Sequence, residues 1–388
     1  MNARDARPDE LADWDARTVE APGGHVLQSR AWAEHRRASG WSPRFLVTDD
    51  GGRVLALTRR WRWVQGGGAY IPRGPVPAGS GATPEAIAAR QIAVSETLAS
   101  DGVDVVAADP EVPAADSAFR DAIVAASFRP IEEIQPSRHR ITLPLGPAAD
   151  QTGPAASGAA ERPGEATVFE GIAKSTRQRI RGAERDGLVV VRHDARQGPT
   201  GAGEGFVAPA DAPAVALDRF YGLLLETGER RHFSFGPRSG FMDWWLAALA
   251  AGHLVYLEAR APGSSQEAAG EPLAGLILYR HGGRFSTVHS GDHAASRVQH
   301  AGALHLLRWR AIQLAIREGC AEMDLGGVDV AGSRGEPGEG DRLYGLYQHK
   351  RAFGGHWLEL TGAHERVFDP RGYALGRLAG LVATRLRR

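Results

Sequence analysis

The sequence predicts an α/β (α+β) chain with mixed sheets, built as two related halves. Three observations carry this. The chain has 388 residues, enough for two domains at roughly 100–200 residues each. Its content, 43% hydrophobic and 24% charged, is that of a soluble globular protein with ample core. The order helices, strand hairpin, helix, strand occurs twice along it.

In the first half, residues 29–39 are expected to be helical, with Trp32 and Arg36 sharing a face at i, i+4. Residues 45–49 and 54–61 read as strands joined by the turn DDGG. The run GGG at 66–68 and the Pro/Gly-dense 70–77 read as a loop. A helix at 84–100, a strand at 103–110, a helix at 117–126 and a strand at 138–145 complete this half. Residues 146–166 are rich in Ala, Gly and Pro without hydrophobic period and read as a linker. The second half is expected to run helix 168–187, strand 188–193, helices 214–228 and 239–251, and strands 253–260, 273–280 and 284–291. A helix 300–318 and a strand 321–325 end it.

Composition excludes several functions. The net charge is +0, so nucleic-acid contact needs a local patch, and DNA binding is not expected. The single Cys320 rules out an internal disulfide framework and reads as a small buried residue. The 14 histidines show no metal-ligand spacing, and neither a phosphate-binding Walker loop nor a nucleophile elbow is present. No metal or cofactor is expected. No apolar run is long enough to span a bilayer, and the first residues lack a signal region, so a cytoplasmic location is expected. Residues 371–388 combine Leu375, Leu378 and Val382 with several arginines. This reads as an amphipathic helix docked on its own core, with the inner membrane face as a second partner.

Only two of the 46 basic residues are lysine, Lys174 and Lys350. Arginine cannot replace lysine where a compact, tunable ammonium is needed. Lys174 opens a stripe in which Arg177, Arg181 and Arg185 follow at i+3, i+7 and i+11, a cationic helix face able to meet phosphates or simply to be solvated. Lys350 lies between aromatics and a double glycine, next to His349. Arg230, Arg231 and Arg238 alternate with Phe233 and Phe235, a set suited to a diphosphate and a ring, or to an ordinary helix-end loop. Asp109 closes a strand, where a carboxylate either faces a ligand or caps the next helix. Asp324 reads as structural. The segment QHAGAL at 299–304 is a broken version of the turn by which acetyltransferases cradle coenzyme A, its last small residue being Leu304.

Several segments in fixed order carry a likeness: QSRAWAEHRRASGW at 28–41, YIPRGPV at 70–76, AADP at 107–110, FRPIEEIQPSRHRITLPL at 128–145, KSTRQRIRGAERDGL at 174–188, TGERRHF at 227–233, MDLGGVD and YQHKRAFGG. In these the chain resembles the FemABX family of aminoacyl-tRNA-dependent peptidyltransferases. The resemblance implies two GNAT-like N-acyltransferase domains, residues 1–150 with a returning helix at 362–388, and residues 167–361. It implies the type without a coiled-coil arm, since residues 188–215 lack heptads. It implies an aminoacyl-tRNA donor and a peptidoglycan precursor as acceptor, nucleotide- or lipid-linked. Among the residues, it implies catalysis by Lys350, with Asp109 and His349 as candidates to take the amine's proton. Arg36 and Arg230 would bind the precursor's diphosphate, with Trp32, Arg73 and Tyr347 as further substrate contacts. Lys174, Arg177, Arg181 and Arg185 would hold tRNA. Another peptide acceptor, an acyl-CoA donor and a non-catalytic scaffold are the alternatives.

Overall fold

The computed structural model describes residues 1–77, 82–135, 137–146, 163–197, 203–231, 235–263, 270–328 and 335–385. Most of the expected linker, and the aromatic Phe233, fall outside these residues. The chain forms two compact units. One comprises Met1–Arg140, Gly327–Glu336 and Leu358–Arg388; the other comprises Ile141–Gly326 and Pro337–Trp357.

The first unit is organised by the apolar run Val54-Leu55-Ala56-Leu57 in strand Arg53–Arg60. An unbroken run, rather than an alternating one, means both faces are covered. Val54 and Ala56 pack with Val94 and Leu98 of helix Pro84–Ser100. Leu55 and Leu57 turn the other way, to Trp14 and Ala33. Burying each valine or leucine among them is worth about 1.5–3 kcal/mol. The helix begins where its sequence says it should: Thr83 Oγ1 accepts from the Ala86 N–H at 3.3 Å, and Pro84 fills the first helical position. The seven strands order as Ala3–Asp5, Ser42–Thr48, Arg53–Arg60, Gly67–Ile71, Val105–Ala108, His364–Val367 and Arg129–Pro130.

One expectation fails here. Of the expected loop, residues 67–71 form strand Gly67–Ile71, paired antiparallel to Arg53–Arg60 and parallel to Val105–Ala108, while Gly66 and residues 72–77 stay outside it. The glycines are there for space: a Cβ on Gly67 would stand 2.6 Å from the Arg59 carbonyl oxygen, and one on Gly68 3.1 Å from the Trp61 ring.

The second sheet orders as His356–Glu359, His139–Pro144, Glu322–Asp324, Arg284–Asp292, Pro272–His281, Leu254–Arg260 and Val189–Asp194. It repeats the first sheet's plan. Antiparallel strands give way to one parallel pair, Arg284–Asp292 with Glu322–Asp324, and helix Ala303–Arg317 makes the crossover. The corresponding pair in the first sheet is Gly67–Ile71 with Val105–Ala108, crossed by Pro84–Ser100. The expected helix 168–187 is two helices, Glu165–Gly171 and Lys174–Arg185. Ile172 breaks it by adopting an extended conformation and burying its side chain, and the Ala173 N–H donates to the Ala352 carbonyl instead of continuing the helix. Helix Tyr344–Arg351, which carries Lys350, shows no clean apolar stripe in sequence.

Candidate functional site

In the second unit, Lys350 is nine-tenths buried or more, at 5% exposure. Its helix sets it against the turn that follows strand Glu322–Asp324. Gly326 in that turn has φ +78°, and a Cβ there would lie 2.9 Å from the Thr287 carbonyl oxygen and 3.2 Å from Lys350 Nζ. Only glycine both takes that backbone conformation and leaves room for the amine. Asp324 stays in the turn, its Oδ1 accepting from the Gly326 N–H at 2.7 Å. Burial pulls the Lys350 amine down from its ordinary 10.5 to about 7; Arg308 pulls in the same direction and Asp324 opposes.

Arg308 is the residue that sequence reading missed. It is 2% exposed on helix Ala303–Arg317, and burial brings even this guanidinium down to about 10. Its Nε donates to His349 Nε2 at 2.9 Å, while its Nη1 has no hydrogen-bond partner. The signal was present: Arg308 stands four residues after Leu304 and three before Ala311, on an otherwise apolar stripe. His349 in turn meets His305 edge-on, ring centroids 4.7 Å apart, and Phe353 at 5.4 Å. Burial, then Arg308, His305, Lys350 and Arg179, hold His349 down at about 2, so it is neutral and its acceptor nitrogen is occupied. Tyr347 is buried at 2% exposure, edge-on to Trp357 at 5.9 Å, with the Arg351 guanidinium over its ring.

Arg230 lies at the end of helix Pro213–Arg231. Its Nη2 donates to Asp292 Oδ1 at 2.5 Å, to the Asp292 carbonyl at 2.7 Å and to Thr227 Oγ1 at 3.1 Å. Its Nε and Nη1 are buried without hydrogen-bond partners. Asp292, unmarked in sequence, ends strand Arg284–Asp292 and also holds Arg297 at 2.7 Å. On helix Lys174–Arg185, Lys174, Arg181 and Arg185 are exposed and Arg177 is half-buried, while Thr176, Ile180 and Ala183 face inward. The cationic face and the packing face are therefore distinct, as their spacing requires.

In the first unit, Asp109 follows strand Val105–Ala108 and is 1% exposed. The Tyr70 hydroxyl reaches both carboxylate oxygens at 2.9 Å, and the Arg73 N–H donates to Oδ1 at 2.7 Å. Burial raises this carboxyl to about 6 against the opposing pull of Arg73. Arg73 has φ +48°, a strained position for a residue with a side chain, and its Nη2 donates to the Ser137 carbonyl at 3.2 Å. Arg36, on helix Arg30–Ala38, lies over both Trp32 and Trp41, 5.4 Å from each ring centroid. Burial lowers its pKa, and Arg59 adds to this while Tyr70 opposes it. Its Nε is buried without a hydrogen-bond partner. Indole faces thus hold this cation in place of a carboxylate.

Among the described residues, no group of three or more His, Cys, Asp or Glu side chains is placed to hold a metal ion. No helix among them is long and apolar enough to cross a membrane.

Residues 173–351 match the family model described as an acetyltransferase (GNAT) domain. No curated protein matches the chain in sequence. Among solved structures, FemX is similar with a TM-score of 0.74 at 17% identity, over 97% of this chain and 99% of that one. L-PGS from Bacillus licheniformis gives a TM-score of 0.46 at 14% identity, over 100% of this chain and 99% of that one. A tandem GNAT protein from the clavulanic acid biosynthesis pathway gives 0.41 at 12%, over 94% and 97%. The chain therefore has a FemX-like fold of two mixed α/β units, and residues 173–351 are similar to an acetyltransferase (GNAT) domain.

Proposed function

We propose that this protein is an aminoacyltransferase that moves an amino acid from aminoacyl-tRNA to the side-chain amine of a peptidoglycan precursor. One observation carries the reading: the buried Lys350 amine at the turn after strand Glu322–Asp324, inside an acyltransferase domain. The sequence likeness to the FemABX family and the FemX-like fold support donor and acceptor.

The chemistry asks little of the protein beyond charge and alignment. The donor ester is already activated. The acceptor amine adds to its carbonyl carbon, a C–N bond forms, and the oxygen becomes an oxyanion. Lys350, in its ammonium form, stabilises that oxygen. Collapse breaks the C–O bond, and the amine's proton leaves with the departing ribose oxygen. Of the groups that could relay it, His349 has its acceptor nitrogen engaged by Arg308, and Asp109 has both oxygens engaged by Tyr70 and Arg73. A substrate phosphate is the acceptor we favour. Arg36 and Arg230 bind the precursor's diphosphate, with Trp32 holding Arg36 in place, and Arg73 and Tyr347 shape the acceptor side. Lys174, Arg177, Arg181 and Arg185 hold the tRNA acceptor end. The acceptor is nucleotide- or lipid-linked, and the protein works in the cytoplasm at the inner membrane face.

The test combines purified protein, aminoacyl-tRNA and a nucleotide-linked muropeptide, with mass spectrometry of the product. A gain of one aminoacyl residue that needs intact tRNA is expected. Arg177→Glu with Arg181→Glu weakens tRNA binding about tenfold or more at moderate salt and flattens its salt dependence. No product, or unchanged tRNA binding in the double variant, removes the reading.

A second reading, transfer from acyl-CoA, is favoured by the match of residues 173–351 to an acetyltransferase domain. Against it, Gly302 is already accounted for by packing: a Cβ there would lie 2.3 Å from the Arg179 carbonyl oxygen. Saturable CoA binding would favour this alternative.

A further inference from the structure

The hairpin between strands Arg53–Arg60 and Gly67–Ile71 carries the run Arg59-Arg60-Trp61-Arg62-Trp63, and its two tryptophans do different things. Trp61 points inward. Its Nε1 donates to Asp104 at 2.5 Å, its ring lies 6.4 Å from that of Tyr373, and Gly376 packs against its face. These contacts fasten helix Pro370–Arg385 onto the hairpin. Trp63 points outward: it is 66% exposed, at φ +64°, with the Arg62 guanidinium over its ring at 5.3 Å. A large side chain held in a left-handed conformation in order to face water needs a reason.

The helix completes the surface. With Tyr373 and Gly376 turned inward, Leu375 and Leu378 stand outward at 54% and 59% exposure. Five arginines of the hairpin corner and this helix are exposed as well: Arg59, Arg60, Arg62, Arg371 and Arg377. Their guanidiniums make no ion pair among the described residues; Arg59 lies over Trp41 and Arg377 over Tyr373. Two acids are near. Asp104 is buried and spent on Trp61, and Asp369 accepts from the Arg371 N–H at 2.9 Å. The patch reaches Arg36, which shares the Trp41 ring with Arg59.

We propose that hairpin corner 59–63 and the outer face of helix Pro370–Arg385 form one docking surface for an anionic lipid bilayer. Arginines together with exposed Trp and Leu side chains match that boundary, where indoles sit among headgroups and aliphatic tips enter the acyl region. A nucleic acid would use the arginines but has no place for Leu375 and Leu378. The proposal deepens the acceptor side of the reading above and rests on it for purpose: docking here brings Arg36 to a diphosphate presented at the membrane surface.

The experiment is co-sedimentation of the full chain with vesicles of phosphatidylcholine alone, or of phosphatidylcholine with a third of phosphatidylglycerol. Binding to the anionic vesicles only, weakened by salt, is expected. Arg60→Gln with Arg62→Gln weakens it about thirtyfold, at about fivefold per arginine. Trp63→Ala weakens it several-fold and Trp63→Phe restores part. All three proteins melt at the wild-type temperature and keep wild-type activity on a soluble nucleotide-linked acceptor, because the altered side chains are exposed and outside the reacting groups. Absent binding, equal binding to both vesicle types, or tRNA affinity lost in the arginine variant while vesicle binding persists would each overturn the proposal. Vesicle binding is read without substrates, so its outcome is separate from that of the acyl-transfer assay.

Discussion

Asp109 follows the second strand of one parallel pair, and Lys350 reaches from helix Tyr344–Arg351 to the turn after the second strand of the other; the two units surround them differently. Asp109 is surrounded by donors: the Tyr70 hydroxyl, the Arg73 N–H and, at 3.9 Å, the Arg73 guanidinium. Lys350 is buried as deeply, but its neighbour Arg308 carries the same sign of charge. A buried charge with matched partners fixes geometry. One whose charged form is disfavoured by burial and by a like charge costs stability, and Asp324 offsets part of that cost at Lys350. If the proposed reaction holds, the first group serves shape and the second chemistry.

The strongest test of the comparison is Lys350→Met. Acyl transfer should fall about a hundredfold to a thousandfold, the usual loss for one oxyanion donor, while the protein melts at or above the wild-type temperature. The stability gain should depend on pH in a defined sense. Unfolded, the lysine keeps its proton to 10.5; folded, it releases it at about 7. Between these values the unfolded chain binds the extra proton, so wild-type stability rises with pH there. The advantage of the variant is therefore full below about 7 and shrinks towards 10.5. An active Lys350→Met enzyme would end the argument.

Asp109→Ala should do the reverse: about 3 kcal/mol lost in urea unfolding, because Tyr70 and Arg73 lose their shared acceptor, with turnover per folded molecule retained. A stable but inactive variant would move Asp109 to the side of chemistry. Its titration carries its own signature. Folded, the carboxyl holds its proton to about 6 against 3.8 unfolded, so wild-type stability falls as pH rises through that window. Asp109→Asn should flatten this slope.

Arg36→Ala sharpens the comparison at a more exposed site. With no carboxylate to strand, it should leave stability within about 0.5 kcal/mol and raise the acceptor KM about tenfold, the loss of one charge-assisted contact. The smallest effect is expected from Arg308→Met. Removing the like charge lets Lys350 titrate closer to its ordinary value, and the fall of kcat with rising pH should move up by about half a pH unit. An unmoved profile would mean that Arg308 only fills space.

What the sequence could show followed from locality. Helix Pro84–Ser100 has its cap and proline side by side, and the strands around DDGG alternate with turn residues, so both were readable. Strand Gly67–Ile71 was not, because its glycines answer to Arg59 and Trp61 and not to any local preference. The lysines and the arginines of motif segments could be named from order alone. Their partners could not: Asp292 is 62 residues from Arg230, and Arg308 is 41 from His349. Arg308 stands out on its apolar stripe, but neither pairing can be read until the chain is folded.

The missing side chain at position 302 has a mechanical consequence. It lets the start of helix Ala303–Arg317 lodge against the backbone of the cationic helix at Arg179, close enough that a single added methyl would collide. The helix that bears the cationic stripe and the helix that carries Arg308 therefore meet backbone to backbone at this point. Any side chain larger than hydrogen at this position would have to push the two helices apart.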